Sequence, residues 1–289
     1  MCDQADEAIR ISNLSVDFRK QSPAKRAGTE GSYFPVVRLP SLSIQQGTIV
    51  AILGPSGCGK TTFLKVIAGL HDPCGKNVRL TGDIKLLGKS VTEAVRSHLL
   101  SISFQVPVLM PWRTSSENIM LPLELTGQMA KMGVEQLEQN RYDIDQALKT
   151  VRLPGFQDRY PEELSSGQLS RVAVAQAMMS QAKILLMDEV FGTLDEANRM
   201  EMNLRLRKIN CSLMHRTVVF VTHSVEEAVL LGDRVLVFQR LECQVRPESS
   251  VVKDISIALS ERSNEVRYSD SDFHKQKQDL EETLLSLEA

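Results

Sequence analysis

The residues best suited to chemistry are Gly54-Pro55-Ser56-Gly57-Cys58-Gly59-Lys60-Thr61, followed by Thr62. They fill every fixed position of the phosphate-binding pattern G-x-x-x-x-G-K-[ST]. Glycines there let the backbone curl with its N–H groups turned inward, which suits an anion. A helix starting near Gly59 would add roughly half an elementary charge at its N-terminus. Lys60 would reach the β- and γ-phosphates of a nucleotide, and the Thr61 hydroxyl would ligate Mg²⁺. Cys58 sits in this loop at a helix start, where a thiol pKa should fall. Two readings of it stand side by side: an alkylation target that ATP protects, or a small residue that simply fits.

A second group is spread further along the chain. Asp188 suits a Mg²⁺ carboxylate, direct or through water, and Glu189 suits holding and polarising an attacking water. His223 can hydrogen-bond a γ-phosphate or that water, although a lone histidine at a strand end equally suits a structural role. Gln105 could contact Mg²⁺ or water and carries no meaning by itself.

These residues need elements to position them. Thr48–Leu53 is a short apolar run suited to a buried strand before the loop. After it, Phe63, Leu64, Val66, Ile67 and Leu70 share one helix face, with Gly69 near the end. Ile9–Phe18, Val36–Ile44, Val78–Leu87 and Leu99–Phe104 read as strands, and Gln21–Gly31 as a loop. From Pro107 to about Pro161 helical signals replace them: Ser115 and Ser116 suit caps of a helix through Leu125, and Val134–Val151 is amphipathic. Ser166–Ser180 is a further helix. Ile184–Met187 runs into Asp188-Glu189 as a buried parallel strand delivering acids to its C-terminal edge, where open α/β sheets bind ligands. A helix from Asp195 to Cys211, a strand at Thr217–Thr222, a short helix at Val225–Leu231 and a strand at Arg234–Phe238 follow. The polar remainder, 241–289, has Phe273, Leu280, Leu284 and Leu287 at roughly helical spacing, suited to docking on the body or on a partner.

The 289-residue composition is ordinary for a globular chain, with 42% hydrophobic and 24% charged residues. A net charge of −2 gives no basic field for nucleic acid. No apolar run is long enough to cross a bilayer, and Met1-Cys2-Asp3-Gln4 does not read as a signal peptide, so any membrane role is expected to be peripheral. The five cysteines form no metal spacing and are expected to be reduced thiols.

With Leu164-Ser165-Ser166-Gly167-Gln168 added, the set resembles the ATP-binding subunit of an ABC transporter. That stretch is similar to the family's LSGGQ signature, and the order matches: aromatic A-loop (Phe18), phosphate loop, Q-loop (Gln105), signature, Asp188 with Glu189, D-loop (Thr193-Leu194-Asp195) and H-loop (His223). The likeness spans Ile9 to Phe238. It implies an α/β phosphate-loop NTPase core with a mixed sheet, an antiparallel β subdomain and an inserted α-helical subdomain at about 107–180. The ATPase domain would be 1–240 and a tail with a terminal helix 241–289. It implies ATP and Mg²⁺ as cofactors, Thr61, Gln105 and Asp188 at the metal, and Lys60, Glu189 and His223 in catalysis. Phe18 would stack on adenine. Ser165, Gly167 and Gln168 would meet the ATP held by a second subunit.

Phe104-Gln105 through Trp112, with Glu117-Asn118, further resembles bacterial importers of the nitrate, sulfonate and taurine group. The resemblance implies a membrane permease docking near Leu109–Trp112, a periplasmic substrate-binding protein in the same system, and a place on the cytoplasmic face of the inner membrane. Leu109, Met110 and Trp112 would be an exposed patch for the permease or would pack inside the helical insertion. Ser166, Leu169-Ser170, Val190 and Thr193 depart from the family's common residues.

Overall fold

The structure, a computed structural model, describes residues 7–19, 33–70, 77–127, 143–190, 192, 196–210, 215–241, 248–257 and 271–288. Its elements in chain order are β1 (Glu7–Arg19), β2 (Tyr33–Gln45), β3 (Ile49–Leu53), α1 (Lys60–Ile67), β4 (Val78–Leu86), β5 (Lys89–Ser90), α2 (Val91–Arg96) and β6 (Leu100–Ser103). Then come α3 (Ser115–Leu125), α4 (143–150), α5 (Ser166–Met179), β7 (Ile184–Asp188), α6 (Glu196–Ile209), β8 (Thr217–Val221), α7 (Val225–Leu231), β9 (Arg234–Phe238), β10 (Val251–Ser256) and α8 (Ser271–Glu288). They fall into two compact units, Met1–Arg96 with Val221–Ala289, and Ser97–Phe220.

In the first unit an antiparallel sheet runs β2-β1-β4-β5. The buried face of β1 changes parity, from Ile9 and Ile11 to Leu14 and Val16. Strand side chains alternate with period two, so an irregular residue must intervene. It is Asn13, at φ 53°, where the pairing with β4 shifts. Gly82 lies against this bulge: a Cβ there would stand 2.4 Å from the Asn13 carbonyl oxygen. Gly82 is thus a close-approach site within its strand.

The same unit holds a mixed three-strand set, with β3 parallel to β9 and β9 antiparallel to β10. Every residue of β3 is buried, as its uninterrupted apolar run requires. β10 was not expected from sequence. Its half-buried alternation carries Lys253 and Asp254 and gives no apolar run. Arg234 of β9 fixes it with a two-point fork to the Asp254 carboxylate at 2.7 and 2.6 Å. α8 packs on α7, burying Phe273 and Leu280, and Lys277 lies 3.4 Å from Glu226. The terminal helix therefore docks on the body of its own unit. α1 ends at Ile67, earlier than the apolar spacing suggested. Gly69 at φ 71° turns the chain out and leaves Leu70 half exposed.

In the second unit β6 runs parallel to β7, with β8 on the other side of β7. α3 packs on α5. Its cap is Thr114, one residue before the expected serines. Thr114 and Glu117 form a reciprocal capping box. The Ser115 and Ser116 hydroxyls donate instead to the carbonyls of Arg159 and Gln157, at 3.0 and 2.9 Å. Asn118 is fully buried and organises the preceding loop: Oδ1 accepts from the Met110 N–H, and Nδ2 donates to the carbonyls of Met110, Arg113 and Thr114. Of the helix expected over 134–151, only the part from 143 is among the described residues.

Removing the Asn118 amide leaves several backbone groups without their partner. Asn118→Ala should lower stability by roughly 2 kcal/mol or more, against about 1 kcal/mol for the cap variant Thr114→Ala. Denaturant titration of both checks this; Asn118→Ala falling below Thr114→Ala would contradict it.

Candidate functional site

In the first unit, β3 delivers the chain to the glycine loop with little room to spare. Gly54 has φ 150°, and a Cβ there would meet the Phe238 carbonyl oxygen at 2.4 Å. Gly59 has φ 98°, and its Cβ would meet the Val36 carbonyl oxygen at 2.7 Å. Backbone atoms set both limits, so side-chain adjustment does not relieve them. Gly59 is also the N-cap of α1, with no side chain capping the helix and no acidic residue in its first turn. The first N–H groups of that helix are therefore suited to an anion.

Pro55 is buried, while Ser56 and Gly57 are exposed at the loop crown. Lys60 is buried within the loop, and its Nζ donates to the carbonyls of Gly54 and Pro55 at 2.7 and 2.9 Å. Thr61 and Thr62 are half-buried on the first helical turn. Cys58 corrects one expectation. It is buried, and desolvation pushes its thiol above the usual range, although Lys60 Nζ, 3.8 Å from the sulfur, opposes this. The reading as a small residue that fits stands; a lowered thiol pKa does not.

His223 is exposed in the turn between β8 and α7. The turn is held on both sides. The Thr222 N–H donates to the Ile52 carbonyl at 3.1 Å, beside the strand that feeds the loop. The Thr222 hydroxyl accepts from the Ser224 N–H, and the Ser224 hydroxyl caps α7 by accepting from the Glu227 N–H. Phe18, near the end of β1, is half-buried and faces Phe34 on β2, ring centroids 6.2 Å apart. Beside it in the pairing, Arg79 lies over the Tyr33 ring at 4.5 Å.

The second unit brings Gln105, Asp188 and Glu189 together. Asp188 ends β7 and is 5% exposed. Glu189 follows in the left-handed region at φ 48°. A non-glycine residue there is uncommon and strained, and such strain gathers at functional positions. Gln105 Nε2 donates to Glu189 Oε2 at 2.9 Å, so the glutamine reaches the acid by its amide nitrogen. Ser165 caps α5. Its hydroxyl accepts from the Gln168 N–H at 3.3 Å, and Gln168 Oε1 accepts from the Ser165 N–H at 2.8 Å. Gly167 lies in the first turn and Ser166 is exposed, so the departure from glycine points a hydroxymethyl group to solvent. Thr193, Leu194 and Asp195 lie outside the described residues.

Among the described residues, no cluster of three or more His, Cys, Asp or Glu could hold a metal ion. The donors expected for Mg²⁺, the Thr61 hydroxyl, Asp188 carboxylate and Gln105 amide oxygen, are all hard oxygens, and that chemistry fits the ion. Arg240 was missed in the sequence. It follows β9 in no motif, yet its Nε and Nη2 donate to the Ser56 carbonyl at 2.9 and 2.6 Å.

A profile of the ABC transporter family matches residues 37–192. A sulfate/thiosulfate import ATP-binding protein of Synechococcus elongatus is 39% identical over 71% of this chain and 56% of its own length. The aligned part thus spans little more than half of that relative. An uncharacterised ABC transporter ATP-binding protein of Methanocaldococcus jannaschii is 36% identical over 80% of this chain and 81% of its own length. A dimeric post-hydrolysis ATP-binding cassette bound to ADP and Pi superposes with a TM-score of 0.69 at 26% identity, covering 86% of this chain and 98% of that one. These importer relatives are named for sulfate and thiosulfate, which corrects the expected likeness to the nitrate, sulfonate and taurine group.

The raised Cys58 pKa and its burial predict slow alkylation. At pH 8, iodoacetamide should label Cys58 at least about tenfold more slowly than a free thiol peptide, as followed by mass spectrometry. Labelling at the peptide's rate would contradict the assignment.

Proposed function

Because the chain belongs to the ABC transporter family, we propose that it is the ATP-hydrolysing subunit of an importer, working as a pair with ATP at the seam. The observation that carries the reading is that one chain holds two separate anion-ready features. One is the glycine loop with Lys60 at the uncapped start of α1. The other is the start of α5 at Ser165–Gln168, fixed by its own capping box. A nucleotide needs only one of them from each copy. The dimeric cassette bound to ADP and Pi supports this pairing.

The roles follow from the chemistry of each group. The loop Gly54–Gly59, through its N–H groups at every residue but Pro55, and Lys60 hold the β- and γ-phosphates, with Thr61 and Thr62 on the first turn of α1. Mg²⁺, when bound, offsets phosphate charge; Thr61, Asp188 and the Gln105 amide oxygen are the residues to hold it. Glu189 orients the attacking water, and its contact with Gln105 Nε2 fixes the carboxylate direction. His223 hydrogen-bonds the γ-phosphate or the attacking water, and Phe18 stacks on adenine. Ser165, Gly167 and Gln168 meet the other copy's ATP. Hydrolysis breaks the bond between the β- and γ-phosphates, and release of the freed phosphate takes charge out of the seam and weakens it.

The membrane partner is a permease docking near Leu109–Trp112. Of the expected patch, Trp112 is 70% exposed while Leu109 and Met110 are half-buried; Val106 and Val108, 75% and 58% exposed, extend the apolar surface beside it and support a contact there. A periplasmic binding protein belongs to the same system, and nucleic acid does not. The chain's likeness to import ATP-binding proteins supports a peripheral place on the cytoplasmic face of the inner membrane; among the described residues no helix is long and apolar enough to cross a membrane. The sulfate/thiosulfate relatives favour a solute that carries an oxyanion. A cassette ATPase uncoupled from transport, or an exporter subunit, is the competing reading; co-purification with a multi-span permease separates the uncoupled ATPase from a transport subunit, and import over export rests on the likeness to import ATP-binding proteins.

Lys60→Ala should lower ATP hydrolysis by roughly two orders of magnitude or more. Glu189→Gln should bind ATP, fail to turn it over and accumulate as an ATP-dependent dimer in light scattering. Retained hydrolysis in either variant would remove that residue from its role.

A further inference from the structure

Pro55, Ser56, Gly57 and Cys58 form a tight turn at the crown of the phosphate loop, in which the Cys58 N–H donates to the Pro55 carbonyl at 3.4 Å. Gly57, third of the four, has φ 79°, the value of a type II turn. The central peptide of such a turn joins Ser56 to Gly57. Types I and II differ by a flip of that peptide, which reverses both its carbonyl and its N–H. The peptide is planar and trans, so fixing the Ser56 carbonyl also fixes where the Gly57 N–H points. Nothing packs closely at this point: a Cβ built on Gly57 would have the Arg240 guanidinium, at 3.9 Å, as its nearest neighbour.

Arg240 supplies the restraint. Its Nε and Nη2 both donate to the Ser56 carbonyl. The arginine is itself well anchored. Its neighbour Gln239 donates by its N–H to the Ser250 carbonyl at 2.8 Å and by its side chain to the Ser249 carbonyl at 2.9 Å. Ser250 is fully buried and binds the Arg38 backbone through both its N–H and its hydroxyl. One residue before Gln239, the Phe238 carbonyl limits Gly54, and the Phe238 ring meets Phe63 of α1 at 5.4 Å. The end of β9 therefore touches the loop at its start and its crown, and α1 after it.

We propose that Arg240 is a positioning residue for the nucleotide loop: its fork on the Ser56 carbonyl locks the Ser56–Gly57 peptide in the sense that keeps the Gly57 N–H available to a phosphate. The proposal rests on the reading of this loop as the ATP site. Arg240 lies outside the sequence motifs and touches no reacting atom. It acts through the backbone, so its loss weakens nucleotide binding and leaves the chemical step in place.

Two measurements on the full chain test this. The first compares the parent with Arg240→Ala, Arg240→Gln and Arg240→Lys for ADP affinity by calorimetry and for ATPase KM and kcat. Arg240→Ala and Arg240→Gln should weaken ADP binding and raise KM about tenfold, with kcat at saturating ATP within about twofold of the parent. Arg240→Lys, which keeps the charge and loses the fork, should resemble Arg240→Ala more than the parent. Unchanged affinity in Arg240→Ala, or full recovery in Arg240→Lys, would overturn the proposal. The second follows the Gly57 amide by ¹⁵N NMR without nucleotide. One sharp signal in the parent should shift or broaden in Arg240→Ala as the peptide gains a second orientation, and an unmoved signal would overturn the clamp. A parent chain that binds no nucleotide contradicts the functional reading instead, and the amide signal still decides the clamp.

Discussion

Backbone crowding at two glycines is the constraint on which the rest of the fold turns. Gly54 is pressed toward the Phe238 carbonyl and Gly59 toward the Val36 carbonyl, each closer than a side chain could tolerate. A loop that must present N–H groups to an anion cannot also carry Cβ atoms on its tight side. Its supports come from distant parts of the chain: β2 before it, β9 nearly two hundred residues later, and the helix α1 that it opens. The antiparallel sheet and β10 then have a clear purpose. Through Arg38, Ser250 and Gln239 they hold the end of β9, against which the loop is shaped.

In the second unit the polar side chains named for the site are held by local partners before any ligand is considered. Gln105 and Glu189 hold each other, Ser165 and Gln168 cap their own helix, and Asn118 fixes the loop leading to α3. Preorganised donors and acceptors need little rearrangement when charge arrives. Left-handed backbone occurs in this unit at His98, Arg152, Glu189 and His215, and the Glu189 instance falls directly after the strand that buries Asp188.

Much of this was legible in the residues themselves. The glycine loop, the buried strand before it, Asp188-Glu189 at a strand end and the helix face of Phe63, Leu64 and Ile67 all follow from type and spacing. What escaped has physical reasons. β10 is half exposed and charged, so it has no apolar signature, and only pairing with β9 makes it a strand. The α3 cap fell on Thr114 because the serines after it were needed by the 157–159 loop. Leu70 satisfied helical spacing, yet Gly69 had already turned the chain away. The Cys58 thiol was expected low, but burial outweighs the lowering by Lys60 and the loop N–H groups, and spacing does not reveal burial. Arg240 carried no signal, since its partner is a backbone carbonyl.

Whether two copies share each nucleotide is tested most directly by mixing two inert chains. Lys60→Ala lacks a working phosphate loop and keeps its signature; Ser165→Arg keeps its loop and blocks its signature. A mixed pair contains one seam in which both halves are intact. Shared sites predict that ATP hydrolysis, absent from either protein alone, reappears on mixing and saturates with the fraction of mixed pairs. A mixture that stays as inactive as its components, with mixed pairs shown to form, would contradict the account.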